Sequence, residues 1–502
     1  MRRGRMTGLP QASARPSRDE RCNVGVNSRR LPAARAILAL LALLPCCSTV
    51  SSVTGSLVGT GRPSSGQQGF VAGFLGGVVA DEPRAVLAGR EILSAGGTAA
   101  DAAVAVGLTL AVTYPSRAGL GGGGACIAYV PDAKSVTRGI PEAVMFTPLA
   151  PTAQGANADR PASVPMLARG LFLLHTRYGN QSFEAMVSAA EQLARSGVPV
   201  SRALAKDLTL VSGPLLADPG ARGVFSHDGV PLREGQLLQQ PDLASTLAQI
   251  RAAGVGDLYQ GVLGHRIAQV SGDIGGPIQF SDLRGALPKL AAPLIRDFHN
   301  DQVAFLPPPA DGGVAAEAAF DVLAGNPNDI SAATARALAV VARYRAGGMT
   351  PAAVLAAHDL PEAGPALFPA STSFVTMDRF GDAVACALTL DNLFGTGRVM
   401  PGLGFLAAAS PSAVRPPLLS AGLVWNDHIK AFRAAAGGSG QAGAPLAVAV
   451  ALIDALRIGG HTPVPDPGRA NVIACSGYLP GENSTCAWVN DPREFGLALG
   501  AN

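Results

Sequence analysis

The chain has 502 residues, 48% hydrophobic and 15% charged, which is enough apolar side chain to bury a large core and too much for a disordered polymer. Its charge is uneven: residues 1–66 hold ten arginines and two acidic residues, a net of +8, whereas the whole chain is +3, so residues 67–502 sum to −5. A body of that sign lacks the basic stripe of a nucleic-acid-binding protein, and no nucleic-acid partner is expected.

The first segment reads as an export signal over residues 1–47. Ser28-Arg29-Arg30 precedes the apolar run Ala36–Leu44, AILALLALL, followed by Pro45-Cys46-Cys47. Nine apolar residues are too few to span a bilayer, which takes about 20, and they suit the core of a signal peptide. The arginine pair resembles a twin-arginine signal, and Cys46 or Cys47 is a candidate lipid acceptor. Residues 48–66, rich in Ser, Thr and Gly, read as a flexible tether. The expected location is periplasmic, free or anchored at the membrane surface.

DEPRAVLAGREILSAGG, from Asp81, predicts a helix with Asp81 as its cap, Pro83 in its first turn and Gly96-Gly97 as its stop. Thr98, with Asp101 three residues on, opens a second helix, AADAAVAVGLTLAV, that is apolar all round and expected to be buried. GLGGGGACIAYV, Gly119 to Val130, lacks both the phosphate-loop ending and the dinucleotide spacing. It reads as a tight backbone passage into a strand. Pro165 to about Ala342 is expected to be mostly helical, with the stiff loop Pro307–Gly313, PPPADGG, before one of its helices. Strands return at Ser371. The body shows no repeat and no long linker. Helices segregated from an antiparallel sheet give an α+β class.

Seven cysteines are present, three of them (Cys22, Cys46, Cys47) in the leader. Cys475 and Cys486 flank a loop and are expected to pair in an oxidising compartment. Cys126 and Cys386 sit in apolar runs and are expected to be buried free thiols.

STSFVTMDRFGDAVACALTLD predicts a hairpin. Arg379-Phe380-Gly381 is a three-residue loop whose last position wants the left-handed conformation that Gly381 supplies. That loop sets Ser371 opposite Thr389, where their hydroxyls can share a hydrogen bond, and Phe374 opposite Cys386. Thr372 then points to the other face with Phe374, Cys386 and Leu388. A serine needs a base. None of the seven histidines adjoins a serine in a recognisable arrangement, no G-x-S-x-G elbow occurs, and no histidine pair has zinc-protease spacing. Cutting the chain between Ala370 and Ser371 offers another base, the new α-amine beside the Ser371 hydroxyl. The alternative is a polar strand start with no chemistry.

Several ordered motifs weigh against that alternative. GGTAADAAVAVGLTLAV…SRAGLGGGG, PPPADGG, STSFVTMDRFGDAVACALTLDNLFGTG and AAAGGSG together resemble the gamma-glutamyltransferase (gamma-glutamyltranspeptidase) family over residues 76–499. The resemblance implies an α+β, four-layer αββα sandwich of the N-terminal nucleophile hydrolase type. It also implies autoproteolysis into associated fragments (67–370 and 371–502, forming one composite domain) and no cofactor or metal. It puts the nucleophile on Ser371, a supporting hydroxyl on Thr389 and the oxyanion-hole peptides on Gly437 and Gly438, with Asp391 and Ser420 contacting substrate. The departures concern recognition. Asp391 replaces an Asn and Ser373 a His. Thr147 stands where the family carries the arginine that clamps the glutamyl carboxylate. FLAAASPSAVRPP lacks the Gln-Met-Asp-Asp motif, and Leu419 replaces the first of a serine pair. Gamma-glutamyl compounds such as glutathione are the substrates the resemblance implies. A less charged acyl amide, or a non-catalytic scaffold of the same fold, is the alternative.

Overall fold

The computed structural model describes residues 76–500 apart from 133–134, 153–157, 362–369, 458–463, 482–485 and Glu494. The expected signal segment, tether and lipid-acceptor cysteines lie outside the described residues. Thirteen strands of three or more residues are described. In the first half these are β1 Gly76–Ala80, β2 Gly123–Tyr129, β3 Glu142–Phe146, β4 Lys289–Ala291, β5 Leu294–Phe298 and β6 Asp301–Phe305. The second half holds β7 Ser371–Asp378, β8 Ala383–Thr389, β9 Ser420–Asn426, β10 Ala431–Ser439, β11 Arg469–Leu479, β12 Cys486–Asn490 and β13 Leu497–Gly500.

They form two antiparallel sheets. The first has the order β13-β1-β7-β8-β2-β3-β4 and the second β12-β11-β10-β9-β6-β5. Between them lies an apolar layer in which Val375, Met377 and Ala385 of the first sheet meet Leu423, Trp425 and Ile473 of the second. Helices cover both outer faces. Ala99–Thr113, buried along its whole length, packs on the first sheet, Gly312–Gly325 and Ala444–Leu456 pack on the second, and Ile330–Arg345 packs against Gly312–Gly325. The result is the four-layer αββα sandwich of the N-terminal nucleophile hydrolases.

Local chemistry explains why these segments adopt these shapes. The Thr98 hydroxyl accepts from the Asp101 N–H, and Asp101 accepts from the Thr98 N–H, closing the expected capping box. In β7 the odd residues Ser371, Ser373, Val375 and Met377 take the inter-sheet face, and Thr372, Phe374 and Thr376 face the helices. Gly381 has φ +85°, as the hairpin loop demands, and the ladder runs Ser371↔Thr389 through Met377↔Ala383. The glycine run leads into β2, with the Gly122 carbonyl accepting the Met166 and Leu167 N–H groups at 2.8 and 2.9 Å.

Two expectations are corrected. Glu82, not Asp81, caps the first helix, accepting from the Ala85 N–H, because the Asp81 carboxylate is held elsewhere. The stretch before Ala342 is mostly helical, as expected, and β4–β6 fall where Pro288, Pro293 and Pro307 break the helical period. Cys126 and Cys386 are not free thiols. They face each other across β2 and β8 and form a disulfide. The expected Cys475–Cys486 pair is present between β11 and β12.

Candidate active site

β7 begins at Ser371, which is fully buried directly opposite Thr389. The two hydroxyls do not bond each other as expected. The Thr389 Oγ1 donates instead to the carbonyl oxygen of Ala370, at 2.6 Å, and accepts from the Asp391 N–H at 2.7 Å. That carbonyl belongs to the peptide bond joining Ala370 to Ser371. The Ser371 Oγ has no hydrogen-bond partner. A buried hydroxyl without a partner is costly in a core and is common where a group must react.

Asp391 follows β8 in the left-handed region, φ 62°, which carries its carboxyl back into the protein, 3% exposed and with Oδ2 unpartnered. Burial pushes this carboxyl up to about 7, against the pull of the Arg345 guanidinium. Arg345 is itself clasped by Asp311 of the PPPADGG loop, Nε to Oδ2 at 2.5 Å and Nη2 to Oδ1 at 2.8 Å, and donates to the Pro416 carbonyl at 3.0 Å.

The second sheet supplies the other expected residues. Ser420 opens β9 opposite Gly438, and its hydroxyl donates to the Leu418 carbonyl at 3.0 Å. Gly437 and Gly438 lie inside β10, not in an open loop, with Ala421 and Ser420 on one side and Asn471 and Ala470 on the other. Gly437 faces the nucleophile strand so closely that a Cβ would stand 2.9 Å from the Ser373 Cβ. Only glycine permits that approach. Ser371, Thr389 and Asp391 are thus gathered at one end of the central strands β7 and β8, and Gly437 meets β7 from the second sheet at Ser373.

Thr147 follows β3 just past Phe146, which pairs with Gly124, and Gly123 pairs with Thr389. Thr147 therefore lies two strand spacings from Thr389, roughly 9.5 Å. An arginine there could reach back over the bare glycines, whereas threonine is too short. A cleft of about 400 Å³ opens one residue past Asp391, lined by the Asn392–Gly397 turn with Asp159, Arg160, Val211, Leu215 and Val414.

Sequence reasoning missed a buried polar cluster beside the nucleophile. The Asp81 carboxylate accepts from the Thr372 hydroxyl at 2.8 Å, the Ser373 N–H at 3.1 Å and the Asn471 amide at 2.7 Å. Asp81 lies 291 positions from Thr372 and 390 from Asn471, so no local pattern announces the cluster. Among the described residues no group of three or more His, Cys, Asp or Glu could hold a metal, and no helix is long and apolar enough to cross a membrane.

This geometry agrees with what the chain is similar to. A family model described as Gamma-glutamyltranspeptidase matches residues 85–347, just over half of the chain. The chain belongs to the gamma-glutamyltranspeptidase family. It is 32% identical to the glutathione hydrolase proenzyme of Escherichia coli strain K12 over 271 residues, 50% of this chain and 44% of that protein. The match thus spans under half the length of that relative. It is 28% identical to the acylase ACY 1 proenzyme of Pseudomonas sp. strain SE83 over 394 residues, 69% of each. The crystal structure of cephalosporin acylase from Bacillus halodurans shares the fold, with a TM-score of 0.68 at 19% identity over 87% of this chain and 98% of that one. Acylases thus stand beside glutathione hydrolases among the relatives of this gamma-glutamyltranspeptidase-family chain.

Proposed function

We propose that this protein is an exported, autoprocessed amide hydrolase or acyltransferase whose nucleophile is Ser371. One observation carries the reading: the unpartnered Ser371 hydroxyl sits beside a peptide carbonyl that the Thr389 hydroxyl already polarises. In the first step the Ser371 Oγ adds to the Ala370 carbonyl carbon. The developing oxyanion keeps the Thr389 donor, and the Ala370–Ser371 C–N bond breaks as an ester forms on Oγ and the hydroxyl proton passes to the departing Ser371 nitrogen. Water then cleaves that ester, leaving an Ala370 carboxylate and a free Ser371 α-amine. In the enzymatic cycle the amine takes the Ser371 proton as the hydroxyl attacks an amide substrate, and it returns the proton to the leaving amine. Water or an acceptor amine then releases the acyl group.

Asp391, Ser420 and the Gly437 and Gly438 peptides are proposed as the groups that contact the substrate, with Ser373 where the family has a histidine. The acyl group we favour is one without a zwitterionic head. A glutamyl carboxylate needs a guanidinium or several donors, and its ammonium needs a carboxylate. Thr147 offers neither charge nor reach for such a head. The acylase ACY 1 proenzyme, matched over 69% of both chains, supports this choice. A second reading, gamma-glutamyl compounds such as glutathione, is supported by the 32% identity to the glutathione hydrolase proenzyme. Both disulfides suit an oxidising compartment and support the export reading.

The test is a reducing gel and mass spectrum of purified protein, followed by hydrolysis of simple acyl anilides and gamma-glutamyl anilide. Two fragments with Ser371 at the new terminus, an uncut Ser371→Ala chain, and faster release from the simple anilides are expected. A permanently intact wild-type chain without amidase activity would establish the scaffold alternative, and full activity in an intact chain would overturn the mechanism.

A further inference from the structure

After cleavage Ser371 is a chain end, and chain ends in sheets fray unless something holds them. β7 is paired with β8 along its length, but its other neighbour, β1, stops at Ala80 opposite Phe374. Residues 371–373 therefore overhang β1. The ladder position that the next residue of β1 would fill is taken by a side chain: the Asp81 carboxylate accepts the Ser373 N–H at 3.1 Å and the Thr372 hydroxyl at 2.8 Å. From the other sheet, the Asn471 amide donates to the Ser373 carbonyl at 2.9 Å, to the Ser373 Oγ at 3.0 Å and to Asp81 itself at 2.7 Å. The Asn471 Oδ1 accepts in turn from Asn490 at 2.7 Å. Asn471 is also the ladder partner of Gly437. One amide thus ties the nucleophile strand to the strand that carries the oxyanion-hole candidates. Asp81, Thr372, Ser373 and Asn471 are all essentially closed to solvent, so their hydrogen bonds do not compete with water.

We propose that Asp81 and Asn471 are positioning residues that hold the cut end of β7, and with it Ser371, in register against β8 and Gly437. The inference rests on Ser371 being the nucleophile. Neither residue touches the reacting atoms; each acts through the backbone and side chains of Thr372 and Ser373. Asp81 sets the overhang in the plane of its sheet, and Asn471 sets the distance between sheets.

A matched pair of substitutions separates positioning from stability. Thr372 and Thr376 lie on the same face of β7, both fully buried, and each hydroxyl donates one hydrogen bond: Thr372 to Asp81 at 2.8 Å and Thr376 to the Ala99 carbonyl at 2.7 Å. Thr372→Val and Thr376→Val should lower the melting temperature alike. Only Thr372→Val should slow chain cleavage, and the labelling of Ser371 by phenylmethylsulfonyl fluoride in the cleaved protein, by about 10- to 100-fold, the cost of a misplacement near 1 Å. Asn471→Ala should do the same from the opposite sheet. Equal rates for the two threonine variants, with Asn471→Ala also at the wild-type rate, would overturn the proposal while leaving Ser371 as nucleophile. A Ser371→Ala chain that is still cut and labelled would instead remove the reading on which the proposal rests.

Discussion

Replacing Thr389 by valine tests the cleavage geometry at its most exposed point. The substitution keeps the shape and removes the one hydroxyl that donates to the Ala370 carbonyl, at 2.6 Å. A donor aimed at a developing oxyanion is worth about 2.7–4 kcal/mol. At about 1.36 kcal/mol per factor of ten, cleavage should slow by roughly 10²- to 10³-fold. The same change strips the Asp391 N–H of its acceptor, and an unsatisfied buried donor costs about 1–3 kcal/mol of stability. The variant should therefore melt earlier as well as cleave slowly. The two effects separate because Thr389→Ser restores the hydroxyl and should restore most of the rate. The assay follows the uncut chain on reducing gels after rapid purification, with Ser371→Ala as the zero-rate reference and thermal melts on all four proteins. Wild-type cleavage in a folded Thr389→Val protein would refute the assignment of Thr389 as the donor.

The remaining predictions concern covalent linkage, pH and substrate. Because Cys126 and Cys386 lie on opposite sides of the Ala370–Ser371 bond, their disulfide should keep the two fragments as one covalent species. A cleaved wild-type protein should run as one band without reductant and as two with it, and the Cys126→Ser/Cys386→Ser double variant should give two bands in both. A single wild-type band under both conditions means no cleavage, and two bands in both means no bridge. The Asp391 carboxyl, pushed up to about 7 when folded, sits above its unfolded value near 4, so the fold takes up a proton between those values. The stability this adds is complete below about pH 4 and is lost as pH rises through about 7. In uncut Ser371→Ala protein, Asp391→Asn should therefore gain on its parent by several kcal/mol, on the order of 4, between pH 4 and pH 8. A urea-unfolding gap that stays constant over that range would contradict the buried, unpaired carboxyl. Finally, Thr147→Arg should lower KM for a gamma-glutamyl anilide by roughly 10- to 100-fold, from a charged hydrogen bond worth about 1.5–3 kcal/mol. No change in KM would mean that position 147 does not face the acyl group.

What could be read from the chain alone was whatever depends on neighbours in sequence. A two-residue side-chain period and a three-residue loop ending at Gly381 suffice for the Ser371↔Thr389 register, because a hairpin is closed by its own turn. The Thr98–Asp101 box and the Cys475–Cys486 pair are also short-range, spanning 3 and 11 positions. Contacts between distant segments were decided only when the layers stacked. The Cys126–Cys386 bridge closes over 260 positions, and each cysteine alone resembles any buried thiol. Asp81 looks like a helix cap until β1 and β7 pair and bring Thr372 and Ser373 to its carboxylate, leaving Glu82 to cap the helix. Arg345, at the end of its helix and clasped by Asp311, comes to act on the Asp391 carboxyl the same way, only once the chain is folded. The physical reason is common to all three. Periodicity and turn chemistry act over a few residues, whereas burial, charge pairing and disulfide geometry depend on which faces the tertiary fold presses together.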